Sequence, residues 1–354
     1  MRKLQSMMVL AASWLWVGQA SAAGADPLAS PRFGTWGFDA SGMDPGVSPG
    51  VDFDKYANGR WEAKATIPPD RSRFGNFDAL ALLSEARVHA ILEDAAAGKL
   101  DDPDAGKIGA AYRSFMDEAR VDALDLKPLA PQLAQVHALT DRRGVAAMMG
   151  RQNQQDYPSL FSVSIDQDAK APNRYAVELS ADGLGLPDRD YYLKPAFAPK
   201  KQAYQSYATQ LLSMIGWRDP AGSAQQIIAF ESKLAEVSWT RAERRDRDKT
   251  YNPVTRAQLQ ALAPDFDWDA FLKSSGLQSA NRFIAVTNTA FPKYAQIYAS
   301  TPLSTLQAWL AFRVADQAAP FLAQRFVDAN FEFRSKTLAG QPEQKARWKR
   351  AVAF

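Results

Sequence analysis

Apolar residues recur at helical spacing along most of this chain, and one central stretch exchanges that period for alternation. Leu80, Leu83, Val88 and Ile91 fall near one face of a helix that begins at Asp78, and further periodic segments run over 107–119, 124–140, 201–215 and 224–237. The last third repeats the pattern over 288–299, 302–319 and 321–333, with Leu303, Leu306, Leu310 and Val314 recurring. Leu259, Leu262, Phe266, Trp268 and Phe271 predict a compact segment, followed by a short strand over 282–286. In the centre, Phe161, Val163 and Ile165 alternate with polar residues. The alternation returns over 175–179 after Ala171-Pro172-Asn173, which is a hairpin signal. The expected fold class is therefore mainly α with a small β-hairpin. Glu343 opens a last amphipathic segment in which the chain stops without a cap signal, as expected of a longer protein cut short.

The stretch 49–77 reads differently. Asn58-Gly59 is a turn signal, because both residues tolerate positive φ, and Ile67-Pro68-Pro69 sets the next segment extended. Tyr56, Trp61, Phe74 and Phe77 add large apolar surfaces. An irregular, packed strap over 50–77 is expected, leading into the helical domain at 78–354.

The 354 residues suffice for two domains, and 46% apolar content can fill a substantial core. A formal charge of +3 gives no reason to invoke nucleic acid or an anionic membrane surface. Cysteine is absent, which excludes disulfides and thiol nucleophiles by inventory. Arg2 and Lys3, the apolar run from Met7 to Val17 and Ala20-Ser21-Ala22 form an export signal over 1–22, cleaved near Ala22-Ala23. The run is too short for a stable membrane span, so an exported, periplasmic or secreted protein is expected. Residues 23–49, rich in Gly, Pro and Ser, read as a flexible lead-in.

Local chemistry is sparse. Glu85, His89 and Glu93 stand at i,i+4 spacing and read as a solvated ion-pair stripe rather than a chelate, while His137 has no clustered ligands. The corner Pro187-Asp188-Arg189-Asp190 does not follow a calcium-loop order, and Arg189 can be held between its acids. Between Arg241 and Lys249 acids interrupt the basic residues, which favours a salt-bridged face anchored by Trp239. HExxH is absent, as are a GxSxG elbow and the phosphate-binding glycine loops. With two histidines in the whole chain, a zincin site cannot be assembled.

Asn58-Gly59-Arg60-Trp61, the Ile67-Pro68 step and the run from Arg71 to Phe77 resemble the N-terminal signature of the neprilysin-like (M13) family of zinc metallopeptidases. Gly185-Leu186-Pro187-Asp188-Arg189-Asp190-Tyr191-Tyr192 resembles a second signature. The likeness continues through Trp239-Thr240, Arg244-Arg245-Asp246, Tyr251-Asn252 and Thr301-Pro302-Leu303-Ser304. The resemblance implies a bacterial-type member with an incomplete two-lobed architecture, of which this chain is largely the helical N-terminal lobe. It also implies that the strap packs on a missing C-terminal catalytic lobe, which carries the zinc site. Zinc is then expected only in the full-length protein, peptides are its ligands, and the isolated chain is inactive. Arg73 matches a family arginine that meets the C-terminal side of a peptide, whereas Ala81 stands where animal members often have a second arginine. The alternatives are a non-catalytic peptide-binding module and a structural remnant.

Overall fold

Aspartates start many of the helices, because a carboxylate just ahead of the first turn accepts from a backbone amide that has no carbonyl partner. Asp52, Asp117, Asp141 and Asp267 each do this for the helix that follows. The computed structural model describes residues 39–155 and 157–353. The export signal and residues 23–38 of the lead-in lie outside them, as does Phe354. Two compact units emerge: residues 73–109, 348–353 and the described part of 1–67 form the first, and residues 68–72 and 110–347 the second. The strap is thus divided between them. Pro68 to Ser72 belong to the second unit, where the Pro69 carbonyl accepts from the Glu343 amide at 2.9 Å.

In the first unit, α1 (Phe53–Glu62) runs through the predicted Asn58-Gly59 turn without a break. Two interactions override the turn preference. Asp52 caps the helix through the Lys55 amide, and the Asn58 side chain donates back to Asp54 at 2.8 Å instead of closing an Asx-turn. Gly59 is selected by proximity: a Cβ there would lie 3.3 Å from Cβ of Asp44, whose amide donates to the Tyr56 carbonyl. α2 (Asn76–Ala96) follows, with Asp78 in its first turn.

The boundary between the units falls within α3 (Ala105–Met116). The second unit continues through α4 (Glu118–Leu124), α5 (Ala130–His137) and α6 (Arg142–Asn153). Strands β1 (Phe161–Gln167) and β2 (Tyr175–Ala181) form the expected hairpin, in register from Phe161 opposite Ala181 to Gln167 opposite Tyr175. Next come α7 (Asp190–Leu193), α8 (Ala198–Met214), α9 (Pro220–Val237) and α10 (Arg241–Arg245). The short β3 (Pro253–Thr255), absent from the sequence reading, precedes α11 (Arg256–Leu262), α12 (Trp268–Ser274) and β4 (Arg282–Ala285). β4 pairs parallel to β2 and antiparallel to β3, so the hairpin is half of a mixed sheet ordered β1-β2-β4-β3. The fold is predominantly α-helical around this small sheet.

α13 (Phe291–Ser300), α14 (Leu303–Ala318) and α15 (Gln324–Asn330) complete the core. A π-helical segment, Phe331–Leu338, extends α15, and α16 (Arg347–Val352) follows. The hydrophobic core runs from Leu129 to Phe333 and lies in the second unit. Phe161 brings β1 into it, 4.7 to 5.0 Å from the rings of Trp268, Phe266 and Phe291.

Candidate functional site

The segment Gly185 to Tyr192 crosses the interior of the second unit, and its residue types follow from what it meets there. A Cβ on Gly185 would stand 1.7 Å from the Tyr204 hydroxyl and 2.9 Å from the Arg313 guanidinium. Only a bare backbone fits. The Gly185 amide donates to Glu231 and to the Tyr192 hydroxyl, and the Leu186 amide donates to the same hydroxyl. The Tyr192 hydroxyl donates to Glu231 Oε2 at 2.6 Å, while Tyr204 and Trp309 donate to Oε1 at 3.2 and 2.9 Å. Burial pushes the Glu231 carboxyl above its ordinary range, outweighing the nearby Arg313 and these donors. Arg334, presented by the π-helical segment, donates to the Gly185 carbonyl at 2.5 Å and pairs with Asp316.

The acidic corner is arranged differently from the sequence expectation. Arg189 is not held between acids; it donates to the carbonyls of Ala235 and Glu236 at the end of α9. That position suits a cation, because the last carbonyls of a helix concentrate negative charge. The acid that gathers partners is Asp188, buried beneath Arg241 and Arg244 at 3.0 and 3.1 Å. Burial alone would raise its carboxyl, but the Asp190 amide and the two arginines hold it below the usual carboxylate range. The charged run after Trp239 is thus a salt-bridged face, and Trp239 anchors it through Thr289 at 2.8 Å.

A cavity of about 110 Å³ opens above this corner, next to the ends of β2 and β4. Every polar side chain lining it already has a protein partner. Asp182 accepts from the Gly183 amide, Thr287 from the Ala181 amide, and Ser238 shares a proton with Tyr294 at 2.6 Å. The segment from Gly185 to Tyr192 is held in the second unit by buried hydrogen bonds to Tyr192 and Glu231.

The other sequence candidates stand apart from it. Arg73 lies in the first unit, three residues ahead of α2, with its side chain 86% exposed and Nε 3.9 Å from Asp78. His89 stacks on Trp348 at 4.2 Å and has Glu93 at 3.4 Å; His137 stacks on Trp217 at 4.6 Å. Both imidazoles pack against indoles. Among the described residues no three His, Cys, Asp or Glu side chains are grouped to hold a metal ion. A resident zinc does not fit the described residues.

The sequence model of peptidase family M13 matches residues 49–354. The chain belongs to this family. Endothelin-converting enzyme 1 of Rattus norvegicus is 28% identical over 329 residues, and that of Homo sapiens 29% over 334. Among solved structures, the Mycobacterium tuberculosis zinc metalloprotease ZMP1, in complex with inhibitor, superposes with a TM-score of 0.84 at 31% identity over 89% of this chain. The chain spans 42% of the length of both enzymes and 49% of ZMP1. The residue type at Gly185 follows from its neighbours, the Tyr204 hydroxyl and the Arg313 guanidinium, which leave no room for a Cβ. Sequence reasoning missed Glu231, although it falls among Ile227, Ile228, Phe230 and Leu234 on the apolar face of α9. A carboxylate on such a stripe is a signal for a buried polar network.

Proposed function

We propose that this chain is the amino-terminal, non-catalytic part of an exported zinc-dependent metalloendopeptidase. The observation that carries the reading is the M13 match over 49–354 in a chain with two histidines, both far apart in sequence and each stacked on a tryptophan. In such an enzyme the metal ligands and general base come from the half that this chain does not span. Peptides are the substrates, as the likeness to endothelin-converting enzyme 1 and a zinc metalloprotease suggests. Export, to the periplasm or beyond the cell, is the destination implied by the signal at 1–22. Arg73 is the residue assigned to substrate, its exposed guanidinium being free to swing onto a peptide carboxylate.

Purified residues 23–354 are expected to bind no stoichiometric zinc and to cleave no peptide. One tightly bound zinc with copurifying, chelator-sensitive hydrolysis would overturn the reading. When a matched catalytic half restores activity, Arg73→Ala should lower kcat/KM for free-acid peptides by about 10- to 100-fold, a loss of about 1.5–3 kcal/mol. C-terminally amidated peptides should be nearly unaffected. Equal losses for both would return Arg73 to a structural role.

A further inference from the structure

The sheet order leaves β1 at one edge, and the register decides which of its backbone groups face outward. Just beyond the two ends of the strand, the Asp182 amide donates to the Leu160 carbonyl and the Asp168 amide to the Arg174 carbonyl. By alternation the even-numbered residues of β1 carry the ladder to β2, and the amides and carbonyls of Phe161, Val163, Ile165 and Gln167 point away from the sheet. Side chains occupy both ends of this edge. Asn153, the last residue of α6, lays its carboxamide along it, donating to the Phe161 carbonyl at 3.0 Å and accepting from the Val163 amide at 3.3 Å. A neighbouring strand would meet the same acceptor and donor two residues apart, so the Asn153 amide stands in for a peptide group. At the other end the Asp166 carboxylate accepts from the Gln167 amide at 2.7 Å. Between them, the Val163 carbonyl and both backbone groups of Ile165 have no partner among the described residues.

The side chains beside this gap narrow what fits it. Ile165 is 63% exposed, and Tyr175, opposite Gln167 on the same face, is 79% exposed, so apolar surface flanks the open groups. On the other face Asp166 and Glu178 carry carboxylates that form no ion pair with a described residue, while the nearby Arg174 and Arg282 are engaged by Asp168. An open strand edge is matched by another extended main chain, whose alternate side chains fall on opposite faces of the sheet. We propose that the β1 edge binds an extended peptide segment of another protein, in which apolar and basic residues alternate. The added strand runs antiparallel to β1. One apolar residue faces Ile165 and exchanges both backbone hydrogen bonds with it, and the apolar residue two places on donates to the Val163 carbonyl. The basic residues flanking the first then lie over Asp166 and over Ser164, the cross-strand neighbour of Glu178. The inference concerns the second unit alone and depends neither on Arg73 nor on catalysis.

The test follows the fluorescence anisotropy of a labelled Gly-Lys-Val-Lys-Val-Gly peptide titrated with the full chain, and saturable binding is expected. N-methylation of both valines removes the donors that face β1 and should weaken binding about tenfold. N-methylation of both lysines, whose amides face solvent, should leave it nearly unchanged. Glutamate in place of both lysines should weaken it about fivefold, as like charges across a strand pair imply. Ile165→Pro deletes an outward amide and takes nothing from the ladder to β2, so it should weaken the parent peptide about tenfold with the urea midpoint unchanged. Should that variant fail to fold, the two N-methylated peptides decide the matter on the unaltered chain. No saturable binding, equal losses for the two N-methylated peptides, or equal binding of the glutamate peptide would each overturn the proposal. So would self-association of the chain that Ile165→Pro abolishes, because it would seat a second copy on the edge.

Discussion

Four donors from distant parts of the chain converge on the one carboxylate of Glu231, and this makes the residue easy to test. An amide in its place would turn an NH₂ toward two of those donors, so Glu231→Gln should cost about 1–3 kcal/mol in urea denaturation. The pH dependence has a definite sign. Burial raises the folded carboxyl above its unfolded value, so the stability it contributes is complete below the unfolded pKa and is lost as pH rises through the folded one. The gap between wild type and Glu231→Gln should therefore narrow from acid toward neutral pH. Asp168 runs the other way. Burial would raise it too, but Tyr251, the Lys170 amide, Arg174 and Arg282 hold it far below the carboxylate range. Its contribution is present above the unfolded pKa and is lost as pH falls through the folded one, so the gap to Asp168→Asn should narrow toward acid. Two gaps moving in the same direction would contradict these assignments. At this scale the sequence offered only half of the site: the periodicity marks Glu231 as buried, but its donors Gly185, Tyr192 and Trp309 come from 39 to 78 residues away. No local pattern encodes those pairings.

Helices were legible where apolar stripes are long, as in α9 and α14, and illegible where glycine serves packing. The fold class was thus readable, while α1 was taken for a turn and α6 escaped notice. α6 contains Gly144 and Gly150, and a Cβ on Gly150 would come within 2.3 Å of the Phe271 carbonyl of α12. A helical glycine costs up to about 1 kcal/mol in propensity, which close packing of two backbones offsets. The mixed sheet was hidden for another reason. β3 has three residues, too short for alternation to emerge, and the pairing of β4, itself expected as a short strand, with β2 joins segments about a hundred residues apart. The signature corner acts at this same scale, because Arg189 ties the chain before α7 to the last carbonyls of α9. Arg189→Ala should lower stability by about 1–2 kcal/mol through loss of those contacts. Chemical denaturation is the check, with Arg189→Lys recovering part of the loss; an unchanged midpoint in the alanine variant would show that water caps α9 equally well.

The two units differ in how much of their own apolar surface they bury. Large hydrophobic side chains of the second unit from Leu129 onward fill one continuous core, with Trp268, Trp309, Phe161 and Phe312 enclosed. In the first unit the apolar residues that the sequence placed in a strap and a helix stripe stay largely in solvent: Val51, Phe53, Phe77, Leu80 and Ile91 are all exposed. Its buried apolar residues among those described are Ala95 and Ala105. Burial contributes about 25 cal/mol per Å² of apolar surface, and alanines bring little of it. Helices held mainly by their own backbone bonds open at low cost, because short helices are marginal without tertiary packing. The amides of α1 and α2 should accordingly exchange with deuterium through openings at least about 3 kcal/mol cheaper than those of α9 and α14, whose slowest amides report global unfolding. Limited proteolysis should cut within 50–67 or 73–104 before it cuts the second unit. Addition of a matched M13 catalytic half should slow exchange in α1 and α2 if it covers the exposed side chains. Uniform protection across both units of the chain alone would mean that the first unit closes a core of its own, and that its exposed phenylalanines and leucines are not what limits its stability.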